Sequence, residues 1–396
     1  MSSGPPRVEL LEPDFYVDGA RDAYAWMRRY SPVHFDERSG CWGIATYEGV
    51  RDAERDAVVF SSAGGTQPES GPLPWMIDMD APAHRKRRRL VSGAFTPARV
   101  RATAASIRAT CDELIDAFAE RGECDLRHDL AAPLPLIVIC DMLGVPPADR
   151  DAMLRWSDAM LGALNGGPDA LERAAASFGE YAEYAQAMIA DRRADPTDDL
   201  VSVLVHGEIE GDRLRDDEIM FEALLLLIGG DETTRNVTCG GVEVLLVHPD
   251  QWQRLADDRS MLGSAVEEAL RWVSPIKTMK RTVTRDVEFG GRQLREGDRA
   301  LLLYESANFD EAQFDDPDRF DIARAPNDHL AFGFGAHFCL GAHLARLELV
   351  TVFERILARL PALEFASDGP MPRSMTGISE MPVRFSPTRP RSAAGS

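Results

Sequence analysis

Phe332-Gly333-Phe334-Gly335-Ala336-His337-Phe338-Cys339-Leu340-Gly341 runs directly into Ala342-His343-Leu344-Ala345-Arg346-Leu347-Glu348, which has helical character. This order sets Cys339 at the mouth of a helix, where free amides and the helix dipole stabilise a thiolate. Glycines on both sides let the backbone turn tightly and approach a flat ligand with no Cβ in the way. Aromatic and apolar neighbours exclude water. A lone thiolate on such a loop suits a metal already held by other ligands, such as haem iron. An isolated cysteine is more often a small buried hydrophobe in a tight turn, but this setting favours ligation.

Working outward, the final helix is expected from just after Cys339 to about residue 360. Upstream, 315–327 is rich in Pro and Asp and reads as irregular. From 82 to about 270 apolar residues recur at i, i+3 and i+4, which predicts an almost wholly helical stretch with stops at 143–147 and 194–196. Strands are expected near 33–35, 42–45, 281–289, 299–303 and 383–385. The Gly/Pro-rich segment 64–74 is long for a connection, which favours a functional or mobile role.

The composition agrees. The chain has 396 residues, 44% hydrophobic and 28% charged, with Gly 31 and Pro 25, which excludes collagen-like, low-complexity and disordered classes. Length alone predicts roughly two to three domains. No linker or solenoid repeat divides the chain, so one large domain, 1–396, is expected, with flexible tails at 1–14 and 388–396. A formal charge of -21 disfavours nucleic acid and anionic lipid as partners. The six cysteines form no C-x-x-C pair, which argues against zinc and against a disulfide framework. The first ten residues lack a signal-type apolar core, and the apolar run 134–140 is shorter than the roughly 20 residues a bilayer needs. The expected location is the cytoplasm.

Three further clusters carry chemistry. A helix over about 216–247 becomes apolar all round at 223–228, as a helix through the centre of a large domain does. Gly229-Gly230-Asp231-Glu232-Thr233-Thr234 then interrupts it, with each glycine costing about 1 kcal/mol. Such residues can loosen the helical ladder and open a groove beside which Glu232 and Thr233 relay protons; a kinked helix with a solvent-facing polar patch has the same pattern. His84-Arg85-Lys86-Arg87-Arg88-Arg89 is a basic run in an acidic chain. It reads either as a solvated face or as His84 and Arg88 turned inward to a buried anion with the other cations outward. Glu268 and Arg271, three apart on a helix, gain meaning only if a second arginine closes a buried network.

Together and in this order the motifs resemble the cytochrome P-450 family of haem-thiolate monooxygenases, from about Phe15 to Phe385. The pattern Phe-x-x-Gly-x-His-x-Cys-x-Gly at Phe332, Gly335, His337, Cys339 and Gly341 carries most of the resemblance. It implies a mainly α fold with a minor β part, a triangular helical bundle with small sheets, binding heme b (iron protoporphyrin IX) through Cys339 as the iron ligand. The resemblance also implies an oxygen-activating groove with Asp231, Glu232 and Thr233 as catalytic residues. His84, Arg88, Arg281 and His337 match positions that bind the haem propionates. Glu268, Arg271 and Arg319, with Arg324 as the fallback, match a structural network behind the haem. The family's chemistry needs O2 and electrons from a separate ferredoxin and ferredoxin reductase drawing on NAD(P)H. Arg85, Arg87 and Arg89 are the expected docking patch for that donor.

Residues 73–80, 192–200, 229–236 and 305–311 resemble the bacterial branch that hydroxylates the side chain of cholesterol and cholest-4-en-3-one at carbon 26 or 27. Trp75, Met76, Ile77, Ile228, Gly229, Ile276, Met279 and Ile378 are the expected lining for a hydrocarbon tail. A polyketide or terpenoid substrate is the alternative, because residues 160–188 carry no recognisable recognition pattern. A non-catalytic haem sensor, or an enzyme using peroxide directly, would have no need of the intact Glu232–Thr233 pair.

Overall fold

The computed structural model describes residues 6–17, 20–163, 169–367, 369 and 371–390. Its contacts gather into two compact units. The first takes the chain up to Arg89, Leu270–Phe320 and Pro326–Leu340; the second takes Leu90–Ala269, Asp321–Ala325 and the chain from Gly341 onward.

The first unit is built on a five-stranded sheet in the order Val33–Asp36, Cys41–Ile44, Arg299–Leu303, Thr278–Val283, Phe60–Ser61. Leu301, Leu302 and Leu303 are all fully buried, so this inner strand is a continuous apolar run rather than an alternating one. Each such leucine contributes about 1.5–3 kcal/mol by leaving water. Val33–Asp36 is an edge strand, where Phe35 lies opposite Trp42 with ring centroids 4.9 Å apart. The strand expected over 281–289 is in fact two. Thr278–Val283 stays in the large sheet, while Val287–Phe289 folds back on Arg292–Leu294. The turn between them is Gly290-Gly291, with φ of 54° and 73°, the geometry of a two-residue hairpin.

The second unit is mainly helical. Its long helix, Asp216–Val247, has Asp216, Asp217 and Glu218 in the first turn, where they complement the dipole. Around it stand Ala104–Asp116, Pro133–Leu143, Arg150–Gly162, Ala170–Ala194 and Ala342–Arg359. The expected stops hold: Pro133–Leu143 ends on Gly144 at φ 79°, and Ala170–Ala194 ends before Asp195. The almost wholly helical stretch 82–270 is interrupted by strands at Glu123–Asp125 and at the hairpin Glu208–Ile209/Asp212–Arg213. Glu123–Asp125 is too short to show a period and exists through pairing with Pro382–Arg384, some 260 residues away.

The tails also differ from expectation. Leu10 is 1% exposed, its amide donates to Asp36, and its carbonyl accepts from Tyr16, so the chain is anchored well before residue 14. Thr388 is likewise bonded, through its amide to Ala119. Residues 164–168 of the 160–188 segment lie outside the described residues. Among the described residues no helix is long and apolar enough to cross a membrane.

Candidate active site

The cysteine loop is shaped by its backbone. Cys339 N donates to Phe332 O at 2.9 Å, closing the loop three residues ahead of the helix Ala342–Arg359. Gly335 has φ 69°, and a Cβ there would lie 2.8 Å from the carbonyl oxygen of Glu54. No other residue fits. Arg88 donates to the carbonyls of Phe338 (2.6 Å) and Ala336 (3.5 Å), bracing the loop from the helix Ala83–Ser92. Cys339 is half-buried, whereas Cys41, Cys111, Cys124, Cys140 and Cys239 are buried. Burial pushes each of those five thiols up to about 12, which leaves them inert.

Beside the loop, the imidazoles of His84 and His337 collect with the guanidiniums of Arg88 and Arg281. The rings of His84 and His337 stand 4.0 Å apart, and His84 Nδ1 is buried with no hydrogen-bond partner. Burial, then His84, Arg281 and Arg88, push His337 down to about 3. Burial and Arg88 also lower His84. Arg281 is 3% exposed, with Nη1 on the carbonyl of Lys280 and Nη2 3.5 Å from Glu54. Two imidazoles whose protonation is disfavoured by burial and by the neighbouring guanidiniums, one with an orphaned ring nitrogen, fit an anionic occupant, as the two carboxylates of protoporphyrin would be. The residues present therefore fit haem: a half-exposed thiol on a glycine-bounded loop, next to donors for two carboxylates. Phe332 is 9% exposed, and Gly341 caps the following helix.

The basic run divides almost as expected. Arg85 and Arg89 are exposed, but Arg87 is buried and donates to Pro74 O at 3.3 Å, so it leaves the outward patch. Three residues beyond His84, it shares the inward helix face.

In the second unit the long helix passes through 229–234 without a break. Thr233 Oγ1 donates to Gly229 O at 3.0 Å, one turn back. Gly230 lets the helix approach Pro133–Leu143, since a Cβ there would stand 2.9 Å from Ile139; a Cβ on Gly229 would meet nothing within 4 Å. The open space beside Gly229 therefore comes from a missing side chain, not from a broken ladder. Glu232 is 8% exposed, and burial raises its carboxyl to about 7. Asp231 is fully buried on another side of the helix, where Ser157 donates to it at 3.2 Å. Glu348 is held well above the ordinary carboxylate range by burial, with Thr234 donating to it.

The structural network needs one correction. Glu268, fully buried, receives Arg324 Nε at 3.1 and 3.2 Å and the amide of Asp321 at 3.1 Å. Arg324, the fallback, takes the place expected for Arg319, which is exposed. An exposed guanidinium cannot neutralise a carboxylate held out of water. Arg271, also fully buried, donates to the carbonyls of Asn308 (2.8 Å) and Pro317 (3.0 Å). Asn308 in turn accepts from the amide of Leu330 at 2.7 Å, tying down the approach to the cysteine loop. The similarity over 305–311 thus marks framework residues.

Of the expected lining, Trp75, Met76 and Ile378 are buried, Ile77 and Ile228 half-buried, and Gly229 exposed. Ile276 and Met279 pack on the sheet core with Ile44 and Leu302. Sequence reasoning missed Asp78. Its buried carboxylate accepts from Thr66 N and Oγ1 (2.7 Å each), Leu73 N (3.0 Å) and Trp75 Nε1 (2.7 Å), gathering the 64–74 segment. It also missed Glu54, Arg235 and Asp158, which no short motif marks.

The chain belongs to the cytochrome P450 family, whose profile it matches over residues 75–386. It is a P450 monooxygenase, and its similarity to particular members is high. Identity is 52% over 392 residues to the Steroid C26-monooxygenase of Mycolicibacterium smegmatis, covering 97% of this chain and 98% of the relative. It is again 52%, over 393 residues, to the Steroid C26-monooxygenase of Mycobacterium tuberculosis, with coverage of 97% and 98%. Among solved structures, Bacillus megaterium CYP109E1 in complex with testosterone matches with a TM-score of 0.85 at 32% identity, covering 93% of this chain and 98% of that one.

Proposed function

We propose that the protein hydroxylates the terminal methyl, carbon 26 or 27, of a cholesterol-type side chain, working in the cytoplasm as one catalytic domain spanning 1–396. The observation that carries this reading is the 52% identity, over 97% of the chain, to Steroid C26-monooxygenases. Cys339 would ligate the iron of heme b through its thiolate, and His84, Arg88, Arg281 and His337 would hold its propionates. When bound, that group supplies O2 binding and O–O cleavage, favoured by the electron-rich thiolate.

The chain's own residues do the rest. Glu232, buried and raised to about 7, holds a proton near neutral pH and delivers it into the groove beside Gly229. Thr233 Oγ1, bonded to Gly229 O, holds a proton at the same place. The apolar side chains offered to the hydrocarbon are Trp75, Met76, Ile77, Ile276 and Met279 in the first unit, and Ile228 and Ile378 in the second. Arg271 with Asn308 fixes the framework behind the cysteine loop, and Glu268 with Arg324 forms a buried pair within the second unit. Electrons come from a separate ferredoxin, reduced by its reductase, docking at Arg85 and Arg89.

The test is an optical titration of the haem Soret band with cholest-4-en-3-one. A saturable low-spin to high-spin conversion at micromolar steroid, with a 26- or 27-hydroxylated product under reductase supply, is the expected result. A normal thiolate-haem spectrum that ignores the steroid transfers the substrate to the polyketide or terpenoid class. Absence of any haem spectrum after reconstitution overturns the whole reading.

A further inference from the structure

Behind Glu232 lies a charged cluster with no part in the mechanism above. Arg235, 2% exposed, faces two carboxylates: Nη1 meets Asp158 Oδ1 at 2.7 Å and Nη2 stands 3.9 Å from Asp231 Oδ2. Asp158, on the helix Arg150–Gly162, has 42% of its side chain exposed, whereas Asp231 has none. Asp231 Oδ1 and Arg235 Nε are buried with no hydrogen-bond partner. The buried end therefore sets two carboxyl groups, Asp231 and Glu232, against a guanidinium already shared with Asp158. Two buried carboxylates that share one cation do not both ionise, because one is left uncompensated. One proton stays with the pair. Arg235 is one turn from Asp231 and within 4 Å of it, so its attraction falls first on that carboxylate.

We infer that Arg235, clamped from the solvent side by Asp158, is a positioning residue that keeps Asp231 ionised and sets how firmly Glu232 holds the shared proton. The role of Glu232 as proton donor is taken from the proposed function; the charge arrangement stands without it. Burial raises Asp231 to about 6 and Glu232 to about 7, with Arg235 drawing both down and Asp158 pushing both up. The other groups facing the pair act more weakly or carry no charge. Arg127, from the turn Arg127–Ala131, contributes less than Arg235 at both acids. Ser157 donates to Asp231; Cys140, on Pro133–Leu143, and Glu348, on Ala342–Arg359, both feel its charge and are themselves raised by burial.

The test is an infrared titration of the holoenzyme, following the protonated-carboxyl C=O stretch that Glu232→Gln removes. In the unaltered protein this band titrates near neutral pH. Arg235→Gln raises its midpoint by about one pH unit or more, the effect of losing a cation within 4–6 Å. Asp158→Asn lowers it, because an anion is removed and Arg235 is freed for Asp231. Arg235→Lys restores most of the original midpoint. Opposite displacements from the two halves of one ion pair do not arise from loosened packing. Displacements of the same sign, or a midpoint indifferent to Arg235→Gln, overturn the inference. If Arg235→Gln fails to fold, Asp158→Asn alone decides: a midpoint unmoved or raised overturns it. The alkaline limb of donor-supported turnover follows the same two directions. Full coupled turnover by Glu232→Gln, with the infrared displacements intact, would remove Glu232 as proton donor while leaving the role of Arg235 in place.

Discussion

The cysteine loop and the 229–234 stretch of the long helix are held by opposite means. Around Cys339 the backbone does the work: Gly335 at φ 69°, an amide-to-carbonyl bond from Cys339 to Phe332, and Arg88 on the loop carbonyls. At 229–234 the backbone is an ordinary helix, and side chains from other helices decide the chemistry: Ile139 against Gly230, Ser157 on Asp231, Asp158 on Arg235. A site made by backbone geometry needs particular residue types at fixed spacing. A site made by charge and burial needs only that partners arrive, from anywhere in the chain.

That contrast can be broken experimentally. The largest effect is expected at Cys339→Ala, which removes the thiolate ligand and abolishes the thiolate-haem spectrum and turnover; retention of that spectrum would place the ligand elsewhere. Glu232→Gln should leave the spectrum intact and cut donor-supported turnover by about 100-fold, the usual scale for a general acid. In the unaltered enzyme the protonated carboxyl is the active form, so turnover is steady below pH 7 and falls as pH rises through about 7. A rate–pH profile that rises through this range would contradict the assignment.

Stability measurements sharpen the comparison next. Arg324→Ala removes a charged partner of buried Glu268 and should cost about 3–5 kcal/mol in urea unfolding, while Arg319→Ala stays within about 0.5 kcal/mol. Equal costs would return Arg319 to the network. Gly335→Ala, which forces a Cβ against Glu54 O, should cost about 1–3 kcal/mol, with haem loss accelerated. Glu54, raised from 4.5 to about 7 by burial, keeps its proton in the folded state to higher pH than in the unfolded state. Its stabilising effect is full below pH 4.5 and lost as pH rises through about 7, so Glu54→Gln should flatten that decline. The smallest effect is expected at Arg85→Glu with Arg89→Glu: a several-fold rise in KM for the ferredoxin, weakened by salt. Unchanged donor-supported turnover would remove the docking patch.

Much of this was legible in the sequence because the decisive signals are local. The glycine spacing around Cys339 can serve only a tight loop, and the apolar run at 223–228 only a buried helix. The same locality misled where a short pattern has two solutions. The basic run has one cation per helical position, and only the packed helix shows that Arg87 turns inward toward Pro74. Arg319 and Arg324 are equivalent as letters near Pro317, and the fold alone buries one beside Glu268. Glu54, Asp158 and Arg235 carry no motif because their partners lie far along the chain or their roles are set by burial, and Asp78 carries none because its nearby partners Thr66, Leu73 and Trp75 follow no fixed spacing.

By itself, then, the sequence determined the backbone of the cysteine loop, the central helix and the acid–alcohol pair, since each depends on conformational rules acting over a few residues. Tertiary structure decided which arginines pair, which thiols are inert and which carboxyl keeps its proton. Those outcomes depend on distance and on exclusion of water, and neither exists until the chain is folded.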